Sequence, residues 1–186
     1  MKNKYLIFSL LILTACICFS CKKNSAADTT ITPTTSAFYA SSAAFINNGT
    51  FPKLYTCDST GISPKLSWAN VPAGTTSFAV VMHHIPPTPP NHVYMLLYNI
   101  PVTTTSIPDA VSGVGIFGQN KVTPIAGYAP PCSQGPGAKL YTITVYALSS
   151  PAVFTVAAAQ VTRDLFLAAI ANKTLATSEV NVTYTR

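Results

Sequence analysis

The chain has 186 residues, of which only 9% are charged and 48% are hydrophobic. This composition excludes a highly charged disordered chain and provides enough apolar material for the core of one folded domain. The formal net charge of +6 comes from dispersed lysines and arginines with no basic cluster, which argues against nucleic acid as a partner.

The first 20 residues have the pattern of an export signal. Lys2 and Lys4 precede an apolar run over residues 5–17. The run of about a dozen residues is shorter than the roughly 20 that a membrane-spanning helix needs. We therefore predict that residues 1–20 are a cleaved signal peptide and not a membrane anchor.

A cysteine at the signal boundary resembles the lipobox of bacterial lipoproteins, and two positions fit. The letters around Cys16 match the lipobox better, whereas Cys21 stands where the apolar run gives way to two lysines. We favour lipidation at Cys21, with Cys16 as the alternative, because cleavage before Cys16 would leave apolar residues in the tether. An ordinary secretory signal with incidental cysteines is the third interpretation. The prediction is a lipoprotein of the bacterial cell envelope, periplasmic or anchored at the outer membrane.

Residues 21–36 are rich in Ser, Thr and Pro and are predicted to be a flexible tether, followed by one domain over residues 37–186. Removal of residues 1–20 lowers the formal net charge to +4, because nine positive and five negative residues remain. Cys57 and Cys132 are the cysteines left in the domain. In an exported protein they are candidates for a disulfide, and two separate thiols are the alternative.

Within the domain, short β-branched and aromatic runs alternate with Gly, Pro, Asn and Ser, which is typical of β-strands joined by loops. The run at 93–100 is almost continuously apolar and predicts a strand buried on both faces. Helical periodicity occurs at 162–171, where Thr162 is a suitable N-cap and Asp164 suits the first turn. The pattern predicts an all-β sandwich with one short C-terminal helix and long loops. The strands are expected at 65–68, 77–83, 93–100, 140–148 and 180–185.

Several sequence blocks occur in an order that resembles a known family. They cover residues 43–49, 55–58, 63–68, 71–79, 98–101, 127–132 and 141–148. In this order they resemble the bacterial, Raf-kinase-inhibitor-like branch of the phosphatidylethanolamine-binding protein family. The resemblance extends over residues 38–186. It implies a β-sandwich of two antiparallel sheets and a small pocket that holds anions such as phosphate or a phospholipid headgroup.

The residues that form the family pocket are replaced in this chain. Where members carry Asp-Pro-Asp-Ala-Pro, His84 takes the place of the first Asp and Pro86 lies near the second. Tyr94 and the residue after it replace a His-Trp pair. Lys139 and Leu140 replace a His-Arg pair. The acids, histidines and arginine expected from the resemblance are therefore absent.

The residues that are present offer a replacement pocket. His84, Tyr94, Tyr128 and Lys139 would together offer one cation and two phenol donors to an anion. The alternative is a pocket filled by Met95 and Leu140 and kept only as structure.

Three histidines lie within ten residues, and such a group is a candidate zinc site. Neighbours on a strand point to opposite faces, so His83 and His84 are not expected to share an ion, and His92 follows a proline-rich loop. We predict no metal and no cofactor, with His83 facing solvent and His84 facing the pocket.

The domain contains no hydrolase or phosphate-loop motif, and its four carboxylates are scattered along the sequence, so no catalytic residue is predicted. The favoured hypothesis is an exported, lipid-anchored, non-enzymatic domain that binds a small anionic molecule, an envelope protein or a glycan. One alternative is a hydrolase-like or isomerase-like enzyme centred on His84, Tyr94 and Lys139. A second is a purely structural envelope protein.

Overall fold

The computed structural model describes residues 36–87 and 90–186. The predicted signal peptide, both candidate lipidation sites and nearly all of the predicted tether lie outside the described residues. No helix in the described part of the chain has the length and hydropathy needed to cross a membrane.

Within these residues the chain forms nine β-strands, one α-helix and two short 3-10 turns. The 3-10 turns are Lys53–Tyr55 and Ala158–Gln160. The strands and the helix, in chain order, are β1 (Tyr39–Ser41), β2 (Gly49–Thr50), β3 (Leu66–Ala69), β4 (Ser77–His84), β5 (His92–Pro101), β6 (Ser106–Ile107), β7 (Ile116–Phe117), β8 (Lys139–Leu148), α1 (Arg163–Ile170) and β9 (Thr174–Tyr184).

The strands form a three-stranded sheet in the order β1-β3-β6 and a six-stranded sheet in the order β2-β9-β8-β4-β5-β7. The predicted sandwich with a single short helix is confirmed. The expectation of purely antiparallel sheets fails at one place, because the two-residue strand β2 pairs in parallel with β9. The chain enters β2 through Asn48, whose φ of 63° is left-handed. Its main-chain amide donates to the Asn181 carbonyl at 2.6 Å, which joins the start of β2 to β9.

The six-stranded sheet is apolar on both faces, and this follows from the alternation of side chains along its strands. Phe78, Val80 and Met82 of β4 belong to the core between the two sheets. Ala79 and Val81 point to the other face and pack under α1 and the segment before it. The long strand β5 is buried along most of its length, as the continuous apolar run predicted.

Helix α1 covers the outer face of the six-stranded sheet. Thr162 caps it by accepting a hydrogen bond from the Leu165 amide at 3.2 Å. Phe166 and Ile170 lie one turn apart and are the buried side chains of the helix. The predicted helix and its cap are confirmed.

Asp109 bonds to two earlier parts of the chain, 54 and 44 residues away in the sequence. Its Oδ1 atom accepts hydrogen bonds from the Tyr55 hydroxyl at 2.9 Å and the Lys65 amide at 2.8 Å. Its Oδ2 atom lies 3.1 Å from the Lys65 ammonium. Burial raises the pKa of Asp109, but these bonds from Lys65 and Tyr55 lower it by more, so the pKa lies below its ordinary value.

We predict that Asp109→Ala lowers the free energy of unfolding at pH 7 by about 2–3 kcal/mol, because it removes a charged acceptor of several hydrogen bonds. The pKa of Asp109 is lower in the folded state than in the unfolded state. Its stabilising contribution is therefore complete above the unfolded pKa and is lost as the pH falls through the folded value. Urea denaturation of the variant and the wild type at several pH values measures both effects.

The matched control for this experiment is Glu179→Ala, since Glu179 is exposed and accepts a single long hydrogen bond, 3.4 Å from the Thr144 hydroxyl. We expect a change well below that of Asp109→Ala. Equal losses of unfolding free energy in the two variants would show that Asp109 contributes no more to stability than an exposed carboxylate does.

Candidate functional site

A cavity of about 470 Å³ opens at the edge of the six-stranded sheet where β4 ends and where β5 and β8 begin. The register of the sheet places His84, the last residue of β4, opposite His92, the first residue of β5. Lys139 begins β8 beside them. The cavity is lined by His84, Pro86, Pro87, His92, Tyr94, Lys121, Val122, Pro130, Cys132, Ser133, Gln134, Lys139 and Tyr141.

His84 is held by a hydrogen bond to the main chain of β8. Its Nδ1 atom lies 2.7 Å from the Leu140 carbonyl oxygen. A carbonyl only accepts, so Nδ1 carries the hydrogen and Nε2 is the nitrogen that this bond leaves available. The ring centroid of His84 is 5.6 Å from that of Tyr141 and 6.2 Å from that of His92.

Two buried tyrosines form the floor of the cavity. The rings of Tyr94 and Tyr141 meet edge to face with centroids 5.3 Å apart. Burial raises the pKa of Tyr94, and the adjacent Tyr141 raises it further. Burial also raises the pKa of Tyr141. Both phenols therefore keep their protons near neutral pH, and they can donate hydrogen bonds but cannot serve as bases.

The cavity carries two lysines and no carboxylate among its lining side chains. The ammonium of Lys139 has a long hydrogen bond, 3.4 Å, to the Pro136 carbonyl. In the described part of the chain the ion pairs are Lys65–Asp109, Arg163–Asp164 and Arg186–Asp58, so neither Lys121 nor Lys139 is neutralised by an acid. The cavity therefore has a net positive charge.

Lys121 is fixed by its main chain. Its amide donates to the Val93 carbonyl of β5 at 2.8 Å, and the amide of Gln119 donates to the Val161 carbonyl at 2.9 Å. The chain passes so close to its neighbours here that a Cβ atom on Gly118 would lie 2.8 Å from the Val161 carbonyl oxygen. Between these residues, the side chain of the fully buried Asn120 bonds to main-chain atoms of the loop that follows.

Of the four residues named from the sequence, the structure brings His84, Tyr94 and Lys139 to one cavity, but it does not bring Tyr128 there. The Tyr128 hydroxyl donates to the Tyr55 carbonyl at 2.5 Å, and burial raises its pKa. This hydroxyl is therefore used within the fold and is a poor candidate for a ligand donor.

The alternative of a filled pocket is not what the structure shows. Met95 lies in the core between the sheets, and Leu140 is 51% exposed on the outside of β8. The cavity is open. Sequence reasoning missed Lys121 and Tyr141 as lining residues and considered His92 only as a metal ligand. The hairpin register could have placed His92 beside His84, but nothing in the sequence positions Lys121, which lies in an irregular loop.

His83 is not on the solvent side, and that prediction was wrong. It is 8% exposed on the face of the sheet that α1 covers. Burial lowers the pKa of His83 to about 4, with a further contribution from the positive charge of Arg163. Within residues 36–87 and 90–186, no three His, Cys, Asp or Glu side chains are close enough together to hold a metal ion.

Cys57 and Cys132 form a disulfide with their Cα atoms 5.3 Å apart, which is the pairing that the sequence suggested. The Cys57 amide also donates to the Pro131 carbonyl at 3.1 Å. Because Cys132 lines the cavity, the disulfide fixes one of its walls to the loop around Cys57. The next residue, Asp58, pairs with Arg186 at 2.9 Å, so the same loop also holds the C-terminal segment.

Comparison with known proteins matches this fold to one family. The family model described as phosphatidylethanolamine-binding protein matches residues 41–185. The chain belongs to the phosphatidylethanolamine-binding protein family. The resemblance seen in the sequence is thereby confirmed, and the chain contains a binding domain of this family.

Related members come from several organisms. A UPF0098 protein of Chlamydia muridarum is 31% identical over 150 residues, which cover 77% of this chain and 95% of that protein. A UPF0098 protein of Aquifex aeolicus is 35% identical over 117 residues, which cover 58% of this chain and 66% of the relative.

Solved structures of family members have the same fold. A phosphatidylethanolamine-binding protein homologue of Chlamydia trachomatis superposes with a TM-score of 0.72 at 27% identity, covering 81% of this chain and 98% of that one. The E. coli protein YbcL, described as a member of the mammalian family, gives a TM-score of 0.73 at 23% identity and covers 81% and 99%. At 23% identity, the similarity to YbcL shows a shared fold and nothing more.

We predict that replacing both cysteines, Cys57→Ala with Cys132→Ala, lowers the free energy of unfolding by about 4 kcal/mol, because the cross-link spans 75 residues and restricts the unfolded chain. Urea denaturation with and without a thiol reductant measures the loss. The reductant should shift the wild-type midpoint towards that of the double variant and leave the variant unchanged. A wild-type midpoint that the reductant does not move, although mass spectrometry confirms reduction, would contradict this prediction.

Proposed function

We propose that this domain binds a small anionic molecule in the cavity of His84, Tyr94 and Lys139, without catalysing a reaction on it, as part of an exported and lipid-anchored protein of the bacterial envelope. The observation that carries the binding proposal is the make-up of the cavity. Its lining includes two lysines, two imidazoles and two phenols, and it includes no carboxylate.

The chemistry of these groups favours an anion. Lys121 and Lys139 supply positive charge, and charge-assisted hydrogen bonds to ammonium groups are stronger than neutral ones. Burial raises the pKa values of Tyr94 and Tyr141, so both phenols keep their protons; the Tyr94 hydroxyl donates to that of Tyr141, which leaves the Tyr141 proton for an anion. The volume of about 470 Å³ lies in the range typical of small-molecule sites.

The same groups do not suit acid–base catalysis. No carboxylate lines the cavity, and phenols with raised pKa values do not accept protons near neutral pH. An enzyme at His84, Tyr94 and Lys139 would have to rely on an imidazole as its base. Binding without turnover therefore requires fewer assumptions.

We predict that the wild-type domain binds inorganic phosphate and that Lys139→Gln weakens this binding about tenfold or more, because a charged donor is replaced by a neutral one. Isothermal titration calorimetry at low ionic strength measures the affinity. Lys173→Gln is the matched control, since the Lys173 ammonium is outside the cavity and donates to the Pro151 carbonyl at 2.9 Å.

Equal weakening by the two substitutions would indicate a general effect of net charge and would contradict a site at Lys139. The same preparations are tested for turnover of phosphoesters and acyl esters. Hydrolysis that is present in the wild type and lost in His84→Ala would favour the enzyme and overturn the non-catalytic part of the proposal.

The export proposal rests on residues outside the described part of the chain. Its support is the pattern of two lysines, a short apolar run and a boundary cysteine, followed by a Ser-, Thr- and Pro-rich segment. It agrees with a disulfide in the domain, because disulfides persist in oxidising compartments.

We predict that the mature protein, expressed from the full chain in a bacterial host, begins at Cys21 and carries a lipid on that residue. Mass spectrometry of the intact protein and of its N-terminal peptide measures both features. A lipid on Cys16 would select the alternative site. Unmodified cysteines at both positions would refute lipidation.

A further inference from the structure

A second cavity, of about 310 Å³, adjoins the first on the side of the sheet that α1 covers. Lys121 lines both cavities. The second cavity also includes Gln119 and Asn91, with Arg163 and Asp164 from the start of α1. Its charged side chains are thus two cations and one acid.

The arginine in this cavity has few partners among the described residues. The Nε atom of Arg163 is buried and has no hydrogen-bond acceptor there. Its Nη1 atom lies 3.8 Å from the Asp164 carboxylate, whose side chain is 85% exposed. The side chain is 19% exposed, and because Nε is buried, an anion in this cavity would contact the guanidinium through its Nη atoms.

Arg163 also occupies a position that is unfavourable for the fold. A positive charge in the first turn of a helix opposes the helix dipole. The nearby His83 is buried with its Nδ1 atom unpartnered in the described part of the chain, and it adds no negative charge to balance the arginine. Among the described residues the acid beside Arg163 is the exposed Asp164, at 3.8 Å, and an anionic ligand would add a stronger partner.

We infer that the two cavities form one bipartite site for a small molecule with two anionic groups, one held by Lys139 and Lys121 and the other by Lys121 and Arg163. The inference rests on the proposed function, because the first anionic group occupies the cavity proposed above. Lys121 can serve both groups because it lines both cavities. The hydrogen bond from its main-chain amide to the Val93 carbonyl fixes the point from which its side chain extends. Linking two anionic groups makes the second contact intramolecular, so the affinity exceeds that for either group alone.

The probes are methylphosphonate, with one anionic group, and a series of alkane bisphosphonates with spacers of increasing length. Calorimetry with the wild-type protein should give at least one bisphosphonate that binds about tenfold or more tightly than methylphosphonate, with an optimum spacer length. Arg163→Gln should abolish this gain, so that it weakens bisphosphonate binding far more than methylphosphonate binding. Lys139→Gln should weaken both kinds of ligand.

A substitution of Asp164, the acid beside Arg163, is not expected to weaken bisphosphonate binding. Asp164→Asn removes the one negative charge of the second cavity, so the bisphosphonate affinity should stay the same or rise. Thermal unfolding shows that the variants are folded, and Arg163→Gln should not lower the midpoint because it removes a charge that opposes the helix dipole.

The failures of the two proposals are distinguishable. If methylphosphonate binds through Lys139 but no bisphosphonate binds more tightly, the bipartite site is overturned and the anion site stands. An equal effect of Arg163→Gln on both ligand types also overturns the bipartite site. If no phosphonate binds, both proposals are overturned.

Discussion

The burial of β4 on both faces is the constraint on which the rest of the structure depends. Every residue from Ser77 to His83 is buried, and the strand is paired on both sides, with β5 and with β8. A shift of one residue would exchange the side chains of the inter-sheet core with those that pack under α1, so the register is strongly fixed. The ends of the three strands, and with them His84, His92 and Lys139, are then fixed as well. The cavity is thus a direct consequence of the packing of the central strands.

The few polar and charged side chains of the domain hold its long loops. Asp109 joins the segments around Tyr55 and Lys65, and Asn120 holds the loop that carries Lys121. The disulfide fixes the cavity wall at Cys132. Since these interactions use side chains away from the ligand-facing groups, the lysines of the cavity keep their charge unpaired by acids in the described residues.

The pattern of apolar and polar residues was sufficient to predict the long strands, α1 and the all-β class, because these elements are formed by continuous or periodic apolar runs. The grouping of His84, Tyr94 and Lys139 came instead from the family resemblance, and the structure places all three at or near strand ends around one cavity. Tyr128 and Lys121 follow no such pattern, because they lie in an irregular segment whose path depends on distant main-chain hydrogen bonds. His83 was misplaced because the sequence did not show that α1 covers that face of the sheet.

The pairing of β2 with β9 has a consequence for how the domain is made. β9 lies between β2 and β8, and the Ala40 amide bonds to the Ser178 hydroxyl across 138 residues of sequence. During synthesis, the edge of the large sheet therefore stays incomplete until residues 174–184 have left the ribosome. Contacts between such distant segments form slowly, because the intervening chain must first be ordered. Until β9 has been made, β8 lacks a pairing partner along one side of its main chain, an open edge of the kind that neighbouring chains can join.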